Sequence, residues 1–297
     1  MKILLAFFLL LLSGFLFAQE KERPFEIGFY SGYASADLKW SIAGNSDGQS
    51  PNVLSEVKWN DVAGLSIGTS LKVKITKNWF VAGRFSKCFV NNGTVTDADY
   101  AQDNRQNRTY YAKLSGNEGS LNDFFAYAGY YFLNQTRVKL AALAGYNLSK
   151  EHLFLLNPRS VATGEKSLRS TYQTSWKAPS LGACVNYQLV NKLNVDARFV
   201  YGQLKYNASA DWNMIDAFAH PVSFTHYAKG FSTETLLALS YQLNRRLALT
   251  LAGTCINAQT GTGIDRLYLE SGGTQTTQFN GTNKTLKNIW AGLTFRL

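Results

Sequence analysis

Two acidic clusters carry the residues best suited to chemistry in this chain. Asp97 and Asp99 stand two apart in Thr94-Val95-Thr96-Asp97-Ala98-Asp99-Tyr100. On an extended strand such a pair shares one face, close enough to share a proton or to hold a water. Asp211 stands in a second cluster, Ala208-Ser209-Ala210-Asp211-Trp212-Asn213. Taken alone these clusters are weak signals, because exposed segments carry aspartate for turns and solubility more often than for catalysis. The histidines His152, His220 and His226 and the cysteines Cys88, Cys184 and Cys255 show no ligand spacing, so no metal is expected.

The elements that must position these acids are strands. In the last ten residues Ile289, Ala291, Leu293, Phe295 and Leu297 fall on one side, and Asn288, Gly292, Thr294 and Arg296 on the other. Trp290 is the one large apolar exception. A two-faced terminal strand has to pair, and in a closed membrane barrel it pairs with the first strand. At the other end, Lys2 precedes an apolar run from Ile3 to Phe17 and then Ala18-Gln19-Glu20. That pattern predicts a signal peptide over residues 1–18 and a single barrel domain over residues 19–297.

Connections of two kinds alternate along the chain. Short polar turns fall around Lys74–Asn78, Leu133–Thr136, Val190–Lys192 and Asn244–Arg246. Long polar stretches cover residues 44–52, 97–119, 152–166, 211–227 and roughly 261–282. Four turns and five loops predict an all-β, ten-stranded antiparallel transmembrane β-barrel. With the N-terminus in the periplasm, every long loop, and both acidic clusters, would lie outside the cell.

Composition agrees. Aromatics make up 14% of residues against only 5 prolines, which suits aromatic girdles and uninterrupted strands. The net charge of +10 comes from basic residues that form no cluster. That argues against a nucleic-acid partner and for a rim facing anionic lipid headgroups, with outer-membrane lipid as the expected partner. A diffusion pore is a weak option, since a ten-stranded lumen is narrow enough for side chains to fill.

Several segments, in collinear order, resemble the omptin family of outer-membrane proteases. They are Ile27-Gly28-Phe29-Tyr30-Ser31-Gly32, Ser55-Glu56-Val57-Lys58-Trp59, Thr96-Asp97-Ala98-Asp99-Tyr100, Leu143-Ala144-Gly145-Tyr146, Trp176-Lys177-Ala178-Pro179-Ser180-Leu181-Gly182 and Phe199-Val200-Tyr201. The resemblance implies a surface-facing, endopeptidase-type groove acting on a peptide or protein substrate. Asp97 and Asp99 would form its acidic pair and Asp211 the carboxylate of an Asp-x-His dyad. The dyad histidine falls on Asn213, an amide that cannot act as general base near neutral pH. His220 and His226, further along, are candidate replacements.

The positions that resemble the family's acidic specificity pocket are Ala36 and Ser209, with Asp37 one residue away. Tyr146 and Lys150 match its lipid-binding residues, while Leu148 and Ser175 replace charged ones. The resemblance implies no cofactor beyond lipopolysaccharide as an activating lipid. The alternative is a non-catalytic barrel that binds peptide, lipid or a surface partner.

One point of parity remains open in the sequence. Asp97 and Asp99 share strand parity with Trp79, Val81, Phe85 and Phe89, and Asp211 with Val195 and Phe199, all of which read as lipid-facing. Bulges near Asn91-Asn92-Gly93 and near Gly202 would turn the acids inward.

Overall fold

The computed structural model describes residues 24–157 and 167–297; the expected signal peptide lies outside the described residues. The strands are β1 (Phe25–Ile42), β2 (Ser55–Lys74), β3 (Trp79–Gln102), β4 (Gln106–Ser115), β5 (Gly119–Asn134), β6 (Val138–Leu156), β7 (Arg169–Val190), β8 (Leu193–Asp211), β9 (Phe224–Gln242), β10 (Leu247–Tyr268) and β11 (Thr274–Arg296). All pairings are antiparallel, and β11 closes the ring against β1 from Glu26↔Arg296 upward.

The sheet therefore holds eleven strands among the described residues, where the turns predicted ten. Ten of them encircle the barrel. The eleventh, β4, is the return arm of a hairpin that β3 makes above the ring, inside the stretch read as a loop from residue 97 to 119. Asn104 and Arg105, both at positive φ, make its tight turn. The stretch read as a loop over residues 261–282 is likewise mostly strand, with β10 running to Tyr268 and β11 starting at Thr274. These extensions rise past the apolar band into water. They lose the apolar/polar alternation that marks a strand in sequence, yet their backbone pairing continues.

The outer face carries the band. Phe29, Leu65, Trp79, Phe85, Phe89, Leu181, Phe199, Phe231, Leu237 and Leu249 are all exposed on it. On β11, Ile289, Leu293, Phe295 and Leu297 join them as the alternation predicts. Trp290 points inward and stacks on Tyr30, centroids 4.4 Å apart, which explains the one exception in that strand.

Above a cavity of about 500 Å³ at the short-turn end, the lumen is filled. At mid-height the Arg84 guanidinium bonds Asp123 at 2.8 Å and Glu234 at 3.0 Å, and Arg198 bonds Glu234 at 2.7 Å. Lys284 bonds Glu151 at 2.8 Å. Every charge in this layer has a counter-charge, the condition for holding ions away from water. Above it, toward the long loops, Trp40, Trp59, Tyr172, Trp176, Tyr206, Phe224 and Phe279 form an aromatic core.

One of the two bulges exists. Ala63 faces Asn92 while Gly64 faces Val90, leaving Asn91 unpaired. Below it Phe80, Arg84, Cys88 and Val90 face in; above it Val95 and Asp97 do. Gly93 follows at φ 153°, where a Cβ would lie 2.6 Å from the carbonyl oxygen of Gly116. The bulge expected near Gly202 is absent, because β7 and β8 hold one register from Lys177↔Lys205 to Ser180↔Gly202. On β8 the inward side chains are therefore Ala208 and Ala210, and Asp211 stays on the opposite parity.

Candidate functional site

The Asn91 bulge brings Asp97 and Asp99 onto the inner wall above the apolar band, which on β3 ends at Phe89. Asp97 is 9% exposed, and its neighbours across the ladders are Val57 on β2 and Ala112 on β4. Burial, reinforced by the Asp99 charge, pushes its carboxyl up to about 7. Burial also raises Asp99, partly offset by a hydrogen bond from Ser55. With its value near 7, the Asp97 carboxyl keeps its proton part of the time at neutral pH.

The pair opens on a cavity of about 620 Å³ at the long-loop end. The same cavity is lined by His226 of β9 and Asp265 of β10, which face each other across the β9–β10 ladder. His226 is 2% exposed. Its Nδ1 lies 2.8 Å from the Tyr172 hydroxyl, which in turn lies 2.6 Å from the Tyr206 hydroxyl. Its Nε2 lies 3.1 Å from Asp265 Oδ1, too bent for a good hydrogen bond. Asp265 Oδ2 accepts from the Thr277 hydroxyl at 3.0 Å. The imidazole stacks on Phe279 at 4.3 Å and meets the Trp40 ring at 4.9 Å. Burial pushes its pKa down, and Asp265 restores only part, so the ring is neutral at neutral pH.

The other predicted site residues sit elsewhere. Asp211 Oδ1 lies 2.5 Å from His220 Nδ1, both partly exposed on the rim, and neither lines the cavity. Asn213 is occupied structurally. Its Oδ1 accepts from the Arg169 amide at 2.9 Å and the Ser170 hydroxyl at 3.1 Å, and its Nδ2 donates to the Ser167 carbonyl at 2.9 Å. Ala36 is buried inside; Asp37 accepts from the Asp61 amide at 2.9 Å; Ser209 shares the outward parity of Asp211.

Tyr146 and Lys150 both point outward on β6, with Leu148 between them and Ser175 across from Lys150. The sequence reading missed their continuation. Lys177 pairs with Leu148, Lys205 with Lys177, and Lys229 with Lys205, so exposed lysines line up on three further adjacent strands. They stand just above Tyr201 and Phe231, where the apolar band ends on β8 and β9. Their odd parity, shared with those lipid-facing residues, was the available signal. Asp265 was also missed, because its strand looked like a loop.

The closed antiparallel ring, its apolar outer band and its filled lumen define an outer-membrane β-barrel. The chain belongs to the family described as Protochlamydia outer membrane protein, which matches residues 28–295. The outer membrane protease OmpT of Escherichia coli has a similar structure, with a TM-score of 0.73 at 14% identity, over 95% of this chain and 99% of that one. At that identity the likeness shows the fold. The translocator domain of the autotransporter NalP from Neisseria meningitidis matches at 13% identity over 100% of this chain and 96% of that one, TM-score 0.38. OprG from Pseudomonas aeruginosa matches at 10% identity over 94% and 100%, TM-score 0.38. No relative was found among curated protein sequences.

Proposed function

We propose that the long-loop end is an endopeptidase-type groove, open to the cell exterior, in which Asp97 and Asp99 activate a water against a peptide carbonyl. The observation that carries this reading is the acid pair itself: two carboxyls on one wall of a cavity with no lysine or arginine among its described lining residues. One would take the proton of the attacking water while the other, protonated, hydrogen-bonds the carbonyl oxygen, as paired carboxyls sharing a proton can. His226, held by Tyr172 and faced by Asp265, is a positioning group on the opposite wall. Asp211 and Asn213 belong to the rim's own hydrogen bonding and take no part in the reaction.

The second reading, a binding barrel without catalysis, is favoured by one observation. The histidine in the cavity is 2% exposed, with Nδ1 beside the Tyr172 hydroxyl and Nε2 beside Asp265, so water has little access to either nitrogen. In either reading Tyr146, Lys150, Lys177, Lys205 and Lys229 would meet the phosphate groups of lipopolysaccharide at the membrane edge. Purified barrel refolded with lipopolysaccharide and challenged with a diverse peptide library separates the two. Cleavage that disappears in Asp97→Asn supports the groove as a hydrolase; peptide capture with no cleavage supports the binding barrel.

A further inference from the structure

The floor and far wall of the groove are aromatic and aliphatic. Trp40 and Phe224 are buried there, with centroids 5.8 Å apart, and Trp212 lies 4.7 Å from Phe224. Leu267 packs against the same cluster, and Met214 and Ile215 form an exposed apolar lip. No carboxylate stands at Ala36, Ala208 or Ala210, the inward positions that flank this floor on β1 and β8. A lysine or arginine side chain entering here would leave water for an apolar wall whose carboxylate, Asp265, is 4% exposed and already accepts from the Thr277 hydroxyl. A large apolar side chain would gain what the wall offers.

The backbone of the occupant has a place as well. β4 pairs along one edge with β3, but among the described residues its other edge carries a single pair, Ser115 with Leu156. Tyr110 and Leu114 of β4 line the cavity, and Tyr110 lies across the ladder from Asp99. An edge strand beside a pocket is a docking rail for an extended chain, whose alternate side chains then fall into the pocket.

Resting on the groove being a peptide site, we infer that it selects an extended peptide carrying a large apolar side chain, aromatic or leucine-like, and not a basic one. That side chain would sit among Trp40, Trp212, Phe224 and Leu267, with the neighbouring peptide bond beside Asp97 and Asp99.

The test reads binding apart from chemistry. The full barrel carrying Asp97→Asn is titrated with three fluorescent peptides identical except for Phe, Ala or Lys at one position. The Phe peptide should bind at least about tenfold more tightly than either of the others. Leu267→Arg should bring it down to the level of the Ala peptide. A Met214→Asp, Ile215→Asp double variant on the exposed lip should weaken it severalfold, which guards against misfolding in the first variant. Equal or tighter binding of the Lys peptide, a Phe preference that survives both variants, or binding of none of the three would overturn the inference. If the unmodified barrel cleaves nothing while the Phe preference holds, the hydrolase reading fails and this one stands. If it cleaves peptides but only beside basic residues, the outcome is the reverse.

Discussion

At the residue scale, the environment of Asp97 sets its protonation. Its carboxyl is pushed up to about 7 by burial first and by the Asp99 charge second. Peptide cleavage that depends on the Asp97 proton should therefore fall as pH rises through about 7, and Asp97→Asn should remove that limb along with the activity. The same shift bears on stability. An acid whose folded pKa is raised weighs against the fold increasingly as pH climbs from the ordinary carboxylate range to about 7. Asp97→Asn barrels should then resist heat in detergent better than the parent at about pH 8, with no difference near pH 4. Asn213 is a different matter. The omptin resemblance put the histidine of a dyad with Asp211 at this position, but the structure commits Asn213 to Arg169, Ser170 and Ser167 and Asp211 to His220. Asn213→His should give no gain in cleavage and should loosen the start of β7, seen as faster proteolysis near residue 169. A measured gain would return the dyad to the site. Asp97 and Asp99 were legible because a carboxyl pair at strand spacing is a local signal. The His226–Asp265 pairing was not, because it joins two strands 39 positions apart, one of them without alternation.

At the element scale, the irregularity at Asn91 decides where the acids point. Deleting Asn91 would restore simple alternation along β3 and turn Asp97 and Asp99 out of the cavity. Cysteines placed at those two positions should then become accessible to membrane-impermeant thiol reagents from the outer face of the barrel, while without the deletion they react only through the cavity. Equal labelling in both backgrounds would show that the bulge does not set the face. Strand faces below the bulge were readable from sequence, since one side meets lipid. Leu249, 47% exposed on the apolar band, should not tolerate Arg: a charge at mid-bilayer costs about 2–4 kcal/mol and should stop assembly. Thr250→Arg points into the lumen beside Ser240 and should assemble far better. Equal tolerance would contradict the facing. The extra strand β4 and the upper parts of β10 and β11 were not readable, because their outer faces meet water and not lipid, so no regular apolar alternation marks them.

At the scale of the whole molecule, the sequence showed a closed barrel with alternating turns and loops, and the ring that β11 closes against β1 has that form. What it did not show is how the inside is divided: an ion-paired layer at mid-height, an aromatic layer above it, and the groove on top. Such a filled lumen should conduct little, so planar-bilayer recordings should show no stable open channel. The proposed chemistry is that of the acid pair acting on a bound peptide, and one measurement addresses it directly. Initial cleavage rates of a peptide that the native barrel cuts are compared with those of Asp97→Asn and Asp99→Asn, with folding of each confirmed by its heat-modifiable mobility. Loss of general acid–base assistance predicts that each variant falls by about two to four orders of magnitude while peptide binding is kept. Undiminished cleavage in both variants would contradict the account and place the chemistry elsewhere on the rim.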